Sequence, residues 1–127
     1  MRTLQETFDF IVKHLAEQKK AARNYSTCLY RTPDGRSCAV GCLLSDEVAI
    51  KCDARSWDSS IDKVWDDAKA ELILSDKDEC GAIEFYQKMQ NAHDDSSNAD
   101  ELRQRLNSIA DLYLLDNSCV SSIQEWS

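Results

Sequence analysis

Hydrophobic residues recur at helical spacing in four stretches of the chain, each opposite a polar face. Capping boxes precede the first and the fourth stretch, at residues 3–6 and 98–101, and residues 58–60 offer caps for the second. These patterns predict four helices. Their apolar stripes are Leu4, Phe8, Ile11, Val12 and Leu15; Ile61, Val64, Trp65, Ala68 and Leu72; Ile83, Tyr86, Met89 and, at the edge, His93; and Leu102, Leu106, Ile109, Ala110 and Tyr113.

Between the first two helices, residues 28–44 read CLYRTPDGRSCAVGCLL and hold the only proline and two of the three glycines. The Thr-Pro-Asp-Gly run at residues 32–35 predicts a turn. We expect a short β-hairpin over residues 28–38 and then a helix that begins at Cys38, with Ser37 as its cap. The same apolar run would also suit the second hairpin strand. Residues 45–57 carry mixed signals and predict one helical turn and a loop.

The sum of these elements is a mainly α fold, α+β at most, with four helices around one hairpin. A chain of 127 residues fits one domain with a core of its own. We expect residues 1–115 to form that domain and residues 116–127 to be a polar tail. Val120, Ile123 and Trp126 have threefold spacing in the tail, which suits a short docked helix, although a mobile end has the same composition.

The net charge of −8 is concentrated in residues 53–101, which carry 14 acidic and 5 basic side chains. Such a surface repels phosphate backbones and attracts basic protein surfaces, so we expect no direct nucleic-acid binding. No apolar run approaches a membrane span, and the start MRTLQETFDF lacks the pattern of a secretory signal. We therefore expect a cytoplasmic protein with reduced thiols, no membrane contact and no cofactor.

The second predicted helix presents the main acidic face. Separately, the hairpin tip with Tyr30, Arg31, Asp34 and Arg36 would form a small polar or anion-binding surface with the helix start at Ser37. The candidate partner-binding residues come from these two surfaces, although a solvated helix face and a solvated turn explain the same letters. The full set is Asp62, Asp66, Asp67, Glu71, Tyr30 and Arg31.

A thiol enzyme is the alternative from another class. Cys38 at a helix start would favour a thiolate, His93 would be its base, and Asp94 or Asn91 would orient the histidine. Neighbouring helix residues do not face each other, so Asp94 is not automatically aligned with His93. A buried structural cysteine and a packed histidine explain the same residues.

Zinc is a second alternative, because four cysteines are spaced at nine, three and nine intervening residues and two of them would lie one helical turn apart. The paired C-x2-C knuckles of common zinc sites are absent, and buried reduced thiols account for the same pattern. The four are Cys28, Cys38, Cys42 and Cys52.

With these motifs in place, the chain resembles a family of small uncharacterised proteins of phages, prophages and bacterial genomes. The resemblance covers residues 5–115 and rests on four motifs. They are HLxxQ at residues 14–18, CxYRxxDGxxCAxGCLxxD at residues 28–46, QxxHD at residues 90–94 and LxxIAxxYxL at residues 106–115. The tryptophan that often follows the HD pair in that family is missing here. The resemblance implies a mobile-element accessory protein and carries no established activity.

Together these observations predict a non-enzymatic phage or prophage accessory protein that binds, and thereby inhibits, a host defence or nucleic-acid-handling protein. Its basic partner would meet the acidic face. An exposed Trp126 or an apolar face shared by helices would also support a homodimer.

Overall fold

The computed structural model describes residues 2–24, 27–54 and 60–127, with the backbone alone at residues 23, 24, 27 and 28. The fold is mainly α, as the periodicity predicts. The described residues form five α-helices rather than four: α1 Leu4–Gln18, α2 Asp46–Asp53, α3 Ile61–Leu72, α4 Glu79–Asp95 and α5 Ala99–Tyr113. Two 3-10 turns add to them, at Gly41–Leu43 and Ser118–Ser122.

Side-chain caps fix where most of these helices begin. Thr3 and Glu6 form the capping box of α1, and the side chain of Asn98 accepts the backbone N–H of Glu101 at the start of α5. Asp78 caps α4, which therefore begins at Glu79, four residues before Ile83, the first residue of its predicted stripe. The N-cap of α3 is Ser60; the other two predicted caps, Asp58 and Ser59, lie outside the described residues.

Helix α2 is the one that the sequence analysis did not predict, and it replaces the single helical turn and loop expected after residue 45. Ser45 accepts the N–H of Val48, and Asp46 and Glu47 place negative charge in the first turn. The helix buries only Ala49 and Cys52, so its apolar stripe is too short to stand out from the sequence.

The predicted hairpin over residues 28–38 is also wrong. A turn does lie at residues 32–35, with Gly35 at a φ of +91°, but a single isolated bridge between Arg31 and Ser37 closes it. A two-residue antiparallel pair lies earlier in the chain, between β1 Arg23–Asn24 and β2 Thr27–Cys28. The helix predicted to begin at Cys38 is instead the 3-10 turn Gly41–Leu43. Two backbone bonds flank the Arg31–Ser37 bridge, from Thr32 N–H to the Arg36 carbonyl and from Cys38 N–H to the Tyr30 carbonyl, and the N–H groups of Tyr30, Arg31 and Ser37 bond to side chains of other elements.

One apolar core runs through the described helices. Helix α4 packs against α3 and α5, α2 packs against α3, and α1 packs against the turn Ser118–Ser122. The C-terminal segment is part of this core, because Val120, Ile123 and Trp126 are all buried. It is pinned at its end by a backbone hydrogen bond of 2.8 Å from Ala21 N–H to the carbonyl of Ser127.

Candidate functional site

The sequence candidates for chemistry converge inside the fold, where α1 and α4 flank residues 37–41. We call the side chains that meet there the central polar cluster. Helix α1 contributes two of them, α4 contributes three, and the segment between the helices contributes the cysteine thiol. The members are His14, Gln18, Cys38, Gln90, His93 and Asp94.

Helix α1 holds the backbone of Ser37 from both sides of its peptide. The Gln18 amide donates to the Ser37 carbonyl at 2.8 Å and accepts the Ser37 N–H at 2.8 Å. His14 Nε2 lies 3.0 Å from the same carbonyl oxygen, so this nitrogen must carry the proton. Burial lowers the pKa of His14, which keeps its ring neutral, although the bond to Ser37 opposes that shift. His14 is thus half-buried and bonded, rather than a surface side chain.

Both ring nitrogens of the fully buried His93 are occupied. Nε2 accepts the backbone N–H of Ala22 at 3.0 Å, which assigns the ring proton to Nδ1. Nδ1 then donates to Asp94 Oδ1 at 2.6 Å, so these sequence neighbours do come into contact. The His93 ring also packs edge to face with the Trp126 ring, with ring centroids 5.4 Å apart. His93 therefore ties α4 to the segment after α1 and to the C-terminus.

Gln90 extends this network to the segment that carries Cys38. Its amide nitrogen donates to Asp94 Oδ1 at 2.9 Å, and its oxygen accepts the Val40 N–H at 3.3 Å. Asn91, the alternative partner for His93, is exposed on another side of α4. The motif residues Gln90, His93 and Asp94 thus act together on backbone groups of Ala22 and Val40.

The Cys38 thiol lies inside this network and has no exposed surface. Its sulfur accepts the Gly41 N–H at 3.1 Å. Burial raises the pKa of Cys38 far above its ordinary value, and the nearby Asp94 carboxylate raises it further. Among the described hydrogen bonds, none joins the sulfur to His93. The arrangement brings His93 and Asp94 together but leaves the thiol protonated and covered.

Tyr30 and Arg31 likewise point into the fold. Tyr30 is 5% exposed, and the Arg31 guanidinium donates to the carbonyls of Gly41 and Leu44 at 3.0 Å each and pairs with Asp46. The backbone N–H groups of both residues donate to the Asp53 carboxylate, at 2.9 and 3.0 Å. This use of the Asp53 side chain replaces the strand partner that a hairpin would have supplied.

The cysteines proposed for zinc serve other contacts. Cys52 is buried, and Cys42 donates its thiol hydrogen to the Ala39 carbonyl at 3.1 Å. Burial raises the pKa of Cys42 to about 12. The Cys28 side chain lies outside the described residues. In the ranges that the structure describes, no group of three or more His, Cys, Asp or Glu residues is placed to hold a metal ion.

The acidic residues of α3 divide into two pairs. Asp62 and Asp66 are exposed one turn apart on the outer side of the helix. Asp67 pairs with Lys51 of α2 at 3.3 Å, and Glu71 accepts the N–H and the hydroxyl of Ser45, the α2 cap, at 3.0 and 3.2 Å. Only Asp62 and Asp66 therefore face solvent without holding α2 in place.

Some residues of the site carry a sequence signal and others carry none. Gln18 and Gln90 stand in the HLxxQ and QxxHD motifs, which mark them without giving their role. Asp53 stands in no motif. No local pattern marks its contacts either, because its partners Tyr30 and Arg31 are more than 20 positions away. Such a side chain can be found only from the folded chain.

Comparison of the chain with protein families, with curated proteins and with solved structures found no match. The described helices include none that is long and apolar enough to cross a bilayer.

Proposed function

We propose that this chain is an accessory protein of a phage or prophage that acts in the bacterial cytoplasm by binding and inhibiting a host protein. The partner presents a basic surface, as a defence or nucleic-acid-handling factor does, and meets the outer side of α3. The observation that carries the proposal is the pair of exposed carboxylates of Asp62 and Asp66, which the packing of α3 leaves toward solvent.

The state of the central polar cluster supports binding over catalysis. A thiol nucleophile needs an exposed, ionised sulfur, and a general base needs a ring nitrogen that can reach the proton it removes. Cys38 is covered and protonated, and both nitrogens of His93 are engaged. These side chains hold three chain segments together, so the surface is left to carry the function.

Four of the six candidate partner-binding residues make contacts within the protein, so fewer of them are available to a partner. Asp67, Glu71, Tyr30 and Arg31 are engaged within the protein, which leaves the exposed carboxylates of α3 as the determinants to test. Lys63 and Lys69 are also exposed on α3. We therefore expect a partner whose charges match a pattern of both signs, so that reversing the two carboxylates places like charges opposite each other and weakens binding.

The test is capture of the tagged chain from bacterial lysate at about 50 mM and about 500 mM salt, where screening differs strongly. We expect a stoichiometric host protein at low salt and its release at high salt. The Asp62→Lys and Asp66→Lys double variant should lose it. Glu17→Lys with Glu125→Lys is the matched control, because it makes the same charge change at exposed residues outside α3.

Two results would overturn the proposal. A chain that captures no host protein at either salt concentration is not acting by stable binding. Retention of the same partner by the Asp62 and Asp66 double variant would place the interface elsewhere. Because Asp62 lies in the first turn of α3, where a lysine opposes the helix dipole, circular dichroism and the single Asp66→Lys variant must accompany the double variant.

A small thiol hydrolase remains the second candidate, favoured by one observation. The 2.6 Å contact between His93 Nδ1 and Asp94 Oδ1 is the base and orienter geometry that such enzymes use. For this function Cys38 would have to become exposed and its sulfur would have to meet His93 Nε2, which now accepts the Ala22 N–H. The reactivity of the Cys38 thiol in the folded protein therefore decides between the two candidate functions.

A further inference from the structure

A shallow groove of about 250 Å³ lies between α4 and α5, away from the outer side of α3. Its floor is apolar, formed by Ala92 and Ile109, which are almost fully buried. Lys88 and Arg105 stand at its rims, in a chain whose net charge is −8. Asn91 and Ser108 complete the lining. The groove can accept one apolar side chain between polar rims.

Leu112 is the exposed apolar residue nearest to this groove along α5. It is 60% exposed, and it follows Arg105 and Ser108 at intervals of seven and four residues, which places all three on one side of the helix. The same helix side thus carries both a cavity with an apolar floor and a projecting leucine. A surface that holds a knob and a hole together can be complementary to itself.

The charges along this surface also suit a contact between two copies of it, because opposite charges lie at its two ends. Arg105 stands toward one end, 3.7 Å from Asp95, and Glu84 stands toward the other, 3.6 Å from Lys88. Partial burial and the nearby Glu84 carboxylate raise the pKa of Tyr113, the residue that follows Leu112 in α5. Both ion pairs are long and exposed, so each contributes little within one copy and is available to a partner.

We propose that this surface binds a second copy of the chain, with the two α5 helices antiparallel about a twofold axis near Ser108 and Ile109. That register places Arg105 of each copy opposite Leu112 of the other. Each leucine enters the other copy's groove over Ala92, and each Arg105 meets the Glu84 end of the other copy. The contact is isologous and closes as a dimer.

The size of the contact sets how tight this dimer is. The 15 residues of α5 span about 22 Å, and the groove adds only the adjoining side of α4. An interface of this extent falls at the low end of specific interfaces, below about 1,200 Å² in total. We therefore expect a dimer that dissociates in the micromolar range or weaker and that leaves the outer side of α3 free.

Sedimentation velocity of the full chain from about 1 µM to about 1 mM tests the proposal. A reductant must be present, because exposed Cys80 could cross-link two copies. We expect the mass to rise from monomer to dimer over this range. Leu112→Asp should raise the dissociation constant by at least about 100-fold, because it affects two buried leucines per dimer. The matched control is Ile50→Asp on α2, where an isoleucine is 64% exposed, and it should leave dimerisation unchanged.

A charge swap tests the register. Arg105→Glu alone should weaken the dimer by about tenfold, and adding Glu84→Arg should restore it, because each new pair forms across the twofold axis. A monomer at every concentration, or a dimer that Leu112→Asp leaves intact, would overturn the proposal. Failure of Glu84→Arg to restore the Arg105→Glu variant would overturn the antiparallel register. None of these results depends on whether a host protein binds α3.

Discussion

The substitution Gly41→Ala tests how tightly residues 28–44 are packed. A Cβ atom at Gly41 would lie 2.0 Å from the Tyr30 carbonyl oxygen and 2.8 Å from its carbonyl carbon, well inside van der Waals contact. The φ of Gly41 is not positive, so an alanine is otherwise compatible with its backbone. In the absence of the contact, the substitution would stabilise the protein by about 0.4–1 kcal/mol through the unfolded state. The two effects have opposite signs.

The contact with Tyr30 should win because the Tyr30 backbone cannot retreat without loss. Its N–H is held by Asp53 at 2.9 Å, and its carbonyl accepts the Cys38 N–H at 3.3 Å. Arg31 holds the Gly41 carbonyl from the other side at 3.0 Å. Overpacking of this kind costs about 1–3 kcal/mol, and leaving the buried Cys38 N–H without an acceptor costs about 1–3 kcal/mol more. We expect a net loss of about 3 kcal/mol in the free energy of unfolding.

Urea unfolding followed by far-UV circular dichroism measures this loss. The control is Gly81→Ala in the first turn of α4, where the added Cβ would lie 2.9 Å from the Asp78 carboxylate oxygen that accepts the Gly81 N–H. This oxygen is the end of a side chain, so it can shift slightly and still cap the helix. Helix propensity favours alanine there, so we expect stability to stay within about 1 kcal/mol. A Gly41→Ala protein as stable as the original would refute the close packing of Tyr30 against Gly41.

Two further predictions concern the histidines. His93→Ala should lower the free energy of unfolding in urea by about 3 kcal/mol or more, because it leaves the Ala22 N–H without an acceptor and opens a cavity. His93→Gln should cost less, because its amide oxygen can accept that N–H, and equal losses would contradict the assigned bond. Burial lowers the pKa of His14 in the folded state, so at low pH the unfolded state binds a proton that the folded state does not. The free energy of unfolding should therefore fall as the pH drops below about 6.5, by at most about 1.4 kcal/mol per pH unit from this group. His14→Gln should flatten that part of a pH series of urea midpoints, and an unchanged slope would exclude His14 as its source.

Local signals in the sequence were sufficient for the long helices. The predicted apolar stripes of α1, α3 and α5 lie along the buried faces of these helices, whereas α4 also buries Phe85 and Ala92 and leaves Ile83 partly exposed. The capping box at residues 3–6 forms as predicted. At residues 98–101 Asn98 caps α5, but the Glu101 carboxylate accepts the N–H of Ser97. Helix α2 was missed because only Ala49 and Cys52 are buried, although Ser45 and the acidic residues after it gave a usable start signal. Periodicity identifies a helix only when its buried face is long enough to repeat.

The loop between α1 and α2 could not be predicted from local pattern. A strand-like run normally pairs with another strand, but here the N–H groups of Tyr30 and Arg31 bond to Asp53, and Ser37 bonds to Gln18. The accepting side chains, Asp53 and Gln18, are about 20 residues away from their partners in the sequence. The same reason explains Cys38: the sequence suggests a helix start with an ionised thiol, whereas the fold buries the sulfur against the Gly41 N–H.

Residue-resolved alkylation of the native protein tests the central claim, that the polar cluster serves the fold and the surface serves the function. The reagent is iodoacetamide at neutral pH, with mass spectrometry of each cysteine over time. Cys80 is exposed and should react first, while Cys38 should stay unmodified until the protein is unfolded by denaturant, because its thiol is buried and its pKa is raised. Modification of Cys38 as fast as Cys80 in the folded protein would contradict the account and would favour the thiol enzyme.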